Sequence, residues 1–121
     1  MSKRVLVVED QDDNRQILRD LLASVGYETI EAHNGEEALV AVRTQTPDLI
    51  LMDIQLPILD GYEATRRIKA QSDLRHIPIV VVTSYALSGD EEKARAAGCD
   101  AYVAKPYSAR KLLETINRYL T

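Results

Sequence analysis

Short apolar runs alternate along the chain with stretches whose apolar residues recur at helical spacing. "RVLVV", Arg4 to Val8, is β-branched and has no polar alternation, which predicts a strand buried on both faces. Ile17, Leu18, Leu21, Leu22 and Val25 then fall at helical spacing, and Gly26 ends that helix. "YETIEA" predicts a second strand. "NGEEALVAVRTQ" predicts a helix with Asn34 as cap and Glu37 in the capping-box position, broken by Pro47. "DLILMD" is the third strand, and "DGYEATRRIKAQ" the next helix, with Asp60 and Glu63 in the same relation. "IPIVVVTS" is the fourth strand. Ser88 and Glu91 frame another capping box for a helix that closes near Gly98. "DAYVAK" is the fifth strand, and Ser108 caps a last helix with Leu112, Leu113, Ile116, Tyr119 and Leu120 on one face.

Five strand-then-helix units in a row imply an α/β fold: a parallel sheet with helices on both faces. Right-handed crossovers leave a doubly wound sheet, and for five strands the common order is 2-1-3-4-5, the flavodoxin-like one. The expectation is one domain over residues 1–121, with no output domain. A length of 121 residues suits a single core.

In such sheets ligands bind beyond the C-terminal strand ends, where the strand order reverses between the first and third strands. Glu9 and Asp10 end the first strand, Asp53 the third, Thr83 and Ser84 the fourth, and Lys105 and Pro106 the fifth. Each has a plainer reading. Asp10, Asp12 or Asp13 suits a helix cap, Asp53 a turn before Pro57, Thr83 a strand with a satisfied hydroxyl, and Lys105 a solvated charge. The joint pattern favours a site. Three carboxylates bring −3 and Lys105 brings +1, so a net −2 would force one carboxylate to protonate. A divalent cation removes the conflict. Oxygen-only ligands suit a hard ion that keeps some of its waters, Mg²⁺. His33 and His76 lie in expected loops away from these strand ends and read as surface residues.

Composition narrows the classes further. Hydrophobic residues make up 45% and charged residues 28%, an ordinary globular balance. A net charge of −4 argues against a sequence-independent grip on nucleic acid. No run approaches the ~18 apolar residues of a membrane span, and Val5 to Val8 is too short for a secretory segment. The one cysteine, Cys99, reads as a packing residue in a reducing, cytoplasmic compartment.

Together, "VLVVED", "LILMDIQLPILDGYE", "VVVTS" and "AYVAKP" resemble the receiver domain of two-component response regulators, over essentially the whole chain. The stretch from Asp73 to Pro106 looks most like single-domain regulators of the DivK type; similar receivers also occur attached to hybrid histidine kinases. The resemblance implies that Asp53 is the phosphoacceptor. It implies that Asp10 and Asp53 bind Mg²⁺ directly, Glu9 through water, and Gln55 by its backbone carbonyl. By the same resemblance Thr83 meets the phosphoryl group, Lys105 pairs with Asp53 or the phosphoryl oxygens, and Tyr102 changes rotamer. The Lys105–Pro106 bond is implied to be cis. Gln55 and Tyr85 flank the path of hydrolytic water, and a bulky Tyr85 is expected to slow dephosphorylation.

The implied partners are a histidine kinase or histidine phosphotransfer protein as donor and a downstream protein target. The target would be reached through the fourth helix, fifth strand and fifth helix, with Tyr85, Leu87, Tyr102 and Tyr107 as candidate contacts. Enzyme readings fare worse. Walker A and dinucleotide glycine spacings are absent, and an aspartyl-nucleophile phosphatase needs a second aspartate where Gln55 stands. A flavin carrier needs a Ser/Thr/Gly-rich loop where "EDQDDN" stands.

Overall fold

A computed structural model describes residues 2–83 and 89–120. Five strands, β1 (Arg4–Val8), β2 (Glu28–Ala32), β3 (Leu49–Asp53), β4 (Ile79–Thr83) and β5 (Ala101–Ala104), form one parallel sheet in the order 2-1-3-4-5. The helices α1 (Asp12–Ala23), α2 (Gly35–Gln45), α3 (Gly61–Lys69), α4 (Asp90–Ala97) and α5 (Ala109–Leu120) alternate with them. The expected α/β architecture and strand order are the observed ones.

Side chains alternate across a strand, so each apolar run serves two cores. Val5, Val7, Leu49, Leu51, Val80, Val82 and Val103 pack with Leu18 and Leu22 of α1 and Leu112 and Ile116 of α5. Leu6, Val8, Ile50, Met52, Ile79 and Val81 pack on the opposite face with residues of α2, α3 and α4. Continuous hydrophobicity in these strands is therefore a requirement of double-sided burial, at roughly 1.5–3 kcal/mol per large side chain. The same alternation carries Glu9, Asp53 and Lys105 toward the α1/α5 side, and Thr83 and Tyr102 toward the other.

Several local expectations are corrected. Asp12 and Asp13 do not cap α1; they occupy its first turn, where negative charge suits the helix dipole, and Gln11 is the N-cap. Ile17 and Val25 leave the core and are 61% and 44% exposed. Their place on the buried stripe goes to Arg15, which with Leu18 and Leu22 makes an i, i+3, i+7 series. Asn34 and Asp60 accept from the main-chain N–H of Glu37 and Glu63 as expected, but neither glutamate reciprocates. Glu37 instead accepts from the His33 N–H, and Glu63 pairs with Arg66 and Arg67. Gly89 is the N-cap of α4, without a side-chain cap bond; Ser88 lies outside the described residues. Ser108 caps α5 by accepting from the Lys111 N–H at 3.0 Å. Cys99 is buried, and His33 and His76 are exposed.

Gly61 fixes how close α3 comes to β3. Its N–H donates to the Ile54 carbonyl at 2.9 Å, and a Cβ there would sit 2.1 Å from the Asp53 carbonyl oxygen and 2.8 Å from Ile54 Cα. Both are main-chain atoms and have nowhere to go. Gly26 differs: its φ of +87° disfavours a side chain, but a Cβ would meet nothing within 4 Å. In urea unfolding, Gly61→Ala should therefore cost more than about 2 kcal/mol and Gly26→Ala about 1 kcal/mol. Equal losses would contradict this account of the α3–β3 approach.

Candidate functional site

β1 and β3 are neighbours, and their C-terminal ends deliver Glu9, Asp10 and Asp53 to one place. One carboxylate oxygen of each lies within 4.8 Å of the others. They open onto a cleft of about 810 Å³, lined also by Gln55, Lys105, Pro106, Asn14, Ile17 and Tyr107. The Lys105–Pro106 peptide is cis.

Glu9 is buried, and its two carboxylate oxygens are divided among three donors. Oε2 accepts from the Gln11 N–H at 3.1 Å; Oε1 accepts from Lys105 Nζ at 3.3 Å and Asn14 Nδ2 at 3.4 Å. Burial pushes its carboxyl up, but the Gln11 N–H, Asp10 and Lys105 together hold it below the usual range. Asp53, half-buried, accepts from the Ile54 N–H at 2.7 Å. Burial first, then the charge of Glu9, push it up to about 6 against the opposing pull of Lys105. Asp10 is raised as well, by burial and then by Glu9. Two of the three acids are thus shifted toward the protonated form, the conflict that the charge count predicts.

The cluster fits a hard divalent cation. Its donors are oxygens only, one lysine cannot neutralise three carboxylates, and their oxygens already converge.

The sequence-derived residues divide into two groups. Glu9, Asp10, Asp53, Gln55, Lys105 and Pro106 share the cleft. Thr83 is fully buried at the end of β4, and its carbonyl accepts from the Lys105 N–H at 2.7 Å. Tyr102 packs against the α2–α4 core. Tyr85, Leu87 and Ser84 lie outside the described residues. One pairing differs from expectation: the Lys105 ammonium bonds Glu9 and acts on Asp53 through its charge alone. Glu9 is the acid whose carboxyl is held low, and its bond to Lys105 is one of the causes.

Three residues that bear on the cleft escape the sequence reading. Asn14 and Arg15 follow the acidic loop and look like solvated polar residues of a helix. Ile17 looks like core but lines the cleft. The usable signal was the 15, 18, 22 spacing, which puts Arg15 on the apolar stripe.

The sequence matches the response regulator receiver domain family over residues 5–117. The chain belongs to this family. As a receiver it is a phospho-accepting switch of two-component signalling, a class whose members interact with histidine kinases and downstream targets. It is 51% identical over 120 residues to the polar-differentiation response regulator DivK of Brucella anthropi, covering 99% of this chain and 98% of that one. The DivK of Brucella ovis is 50% identical with the same coverage. Among solved structures, the receiver domain of the sensor histidine kinase PA1611 from Pseudomonas aeruginosa superposes with a TM-score of 0.92 at 38% identity, covering 99% and 98% of the two chains. That structure has a magnesium ion coordinated in its active-site cleft. The chemotaxis protein CheY4 of Vibrio cholerae superposes at 0.91 with 28% identity, covering 98% and 99%. The likeness to DivK regulators over nearly the full chain favours the response-regulator reading over the hybrid-kinase and phosphatase alternatives.

The electrostatics of this receiver predict a pH-dependent penalty. The folded protein holds the Asp53 proton more tightly than the unfolded chain does. Stability is therefore lost as pH rises from the ordinary 3.8 through about 6, and stays lost above it. In metal-free buffer at pH 8, Asp53→Asn should melt higher than wild type, by about 1–2 kcal/mol of stability. Below pH 4 the two should converge. Equal melting at pH 8 would mean that Asp53 carries no such penalty.

Proposed function

We propose that this receiver takes a phosphoryl group onto Asp53 from a phosphohistidine on a histidine kinase or histidine phosphotransfer protein, and passes the signal on by protein–protein contact. The convergence of Glu9, Asp10 and Asp53 at the ends of β1 and β3, with the Lys105 ammonium beside them, carries the reading. The neighbour with magnesium in its cleft supports Mg²⁺ as the cofactor.

Glu9, Asp10, Asp53 and the Gln55 backbone carbonyl are the residues that would hold Mg²⁺. When bound, the ion supplies positive charge against the crowded carboxylates and the oxygens of a transferring phosphoryl group. An Asp53 carboxylate oxygen attacks phosphorus; the new P–O bond forms as the donor's N–P bond breaks, and the imidazole leaves. Lys105 neutralises phosphoryl oxygens, and Thr83 hydrogen-bonds the group once it is in place. The modified side chain gains roughly −1.5 to −2 charge. Movement of Thr83 toward that charge frees space for Tyr102, a two-state change read on the face made by α4, β5 and α5. Gln55 and Tyr85 govern how long the acyl phosphate survives. The protein turns over no separate substrate; the chemistry is on itself. A cytoplasmic location is part of this proposal and rests on the family; among the described residues no helix is long and apolar enough to cross a membrane.

Incubation with acetyl phosphate and Mg²⁺ should add one phosphoryl group by intact mass, lost on adding EDTA beforehand. Asp53→Asn should add none; an adduct retained in that variant refutes the assignment. In the same assay Tyr85→Ala should lose its phosphoryl group faster than wild type, and an unchanged decay would remove Tyr85 from the lifetime account.

A further inference from the structure

Arg15 is the one lysine or arginine buried among the described residues, with 5% of its side chain exposed. A guanidinium in that position costs several kcal/mol of desolvation before any bond is made, and Leu or Met would fill the α1 stripe more cheaply. What it gains is a partner for each nitrogen. Nη1 donates to the Glu9 backbone carbonyl at 2.7 Å, Nε to Glu31 Oε1 at 3.2 Å, and Nη2 to the Asp12 carboxylate. These acceptors belong to the end of β1, to β2 and to the first turn of α1. Glu31 is held in turn by Arg19, whose Nε and Nη2 each donate at 2.9 Å.

The consequence falls on Glu9. Its N–H donates to the Ala32 carbonyl at 3.0 Å and its carbonyl accepts from Arg15, so the main chain is pinned on both sides where the chain leaves β1. The side chains of Glu9 and Asp10 project from that point into the cleft, while Arg15 itself does not line it.

We propose that Arg15 is a positioning residue for the acidic cluster: by clamping the Glu9 carbonyl between β2 and α1, it aims Glu9 and Asp10 at Asp53 and so sets the affinity for the cation. The inference rests on the proposed reading that these acids hold Mg²⁺. Outer-shell partners of metal ligands commonly change affinity by about 10–100-fold.

The test is calorimetric titration of Mg²⁺ into wild type, Arg15→Met, Arg15→Lys and Leu22→Val, each confirmed folded by its melting curve. Leu22 shares the buried face of α1 and its side chain belongs to the apolar core, so its variant controls for lost stability alone. Arg15→Met should bind Mg²⁺ about tenfold more weakly, Arg15→Lys should recover part of the loss, and Leu22→Val should stay within about twofold of wild type. With acetyl phosphate, Arg15→Met should be slow at limiting Mg²⁺ and within about twofold of wild type at saturation, because Arg15 touches no reacting atom. Arg15→Met and Arg15→Lys both binding like wild type, or Leu22→Val binding as weakly as Arg15→Met, overturns the inference alone. A wild type that takes up no Mg²⁺ overturns the proposed function and the inference with it.

Discussion

Three carboxylates share one cleft with one ammonium, and most of the molecule can be understood as the means of keeping them there. Left to themselves, Glu9, Asp10 and Asp53 would separate or take up protons, because like charges in a partly dry site repel strongly. The sheet prevents the first. β1 and β3 are adjacent, parallel and buried on both faces, so their ends cannot drift apart without breaking two cores at once. The second response is visible in the raised carboxyl of Asp53. A fold that holds acids together at this cost is primed for a cation, and then for an electrophile that can take the charge of the acceptor.

The period-two alternation of the strands separates two tasks. The acids and Lys105 face the cleft beside α1, whereas Thr83 and Tyr102 belong to the side that packs α2, α3 and α4. On the proposed reading, charge added at Asp53 is therefore felt one strand away, by a buried hydroxyl whose own carbonyl is bonded to the Lys105 N–H. Chemistry and readout are adjacent in space yet rooted in different cores. Gly61 completes the arrangement by letting α3 run against the Asp53 carbonyl, which leaves that aspartate little backbone freedom.

Much of this was legible in the sequence, and for one reason. Short apolar runs such as Leu49 to Met52, set between amphipathic helical stretches, read as strands buried on both faces, and an ionisable residue directly after such a run falls at the sheet's edge. Three such runs, in β1, β3 and β4, together with the strand-then-helix alternation of the whole chain, gave the topology and brought Glu9, Asp10, Asp53, Thr83 and Lys105 to one end. What escaped depends on long, flexible or competing side chains. Lys105 has two acids within its reach, and only the local hydrogen bonds decide that Glu9 takes it. Arg15 reads as a surface charge until three acceptors on three elements are known. Glu37 and Glu63 obey the capping spacing, but each finds a better partner than the expected N–H.

The central claim is that Asp53 is held with Glu9 in a site that favours its proton until a cation arrives. Carboxyl-carbon NMR of Asp53, followed through pH with and without Mg²⁺, measures this directly. The account predicts a midpoint near 6 in the metal-free protein and a fall to or below the ordinary carboxylate range, about 4, at saturating Mg²⁺. An ordinary midpoint without metal, or one that Mg²⁺ leaves unmoved, would contradict it.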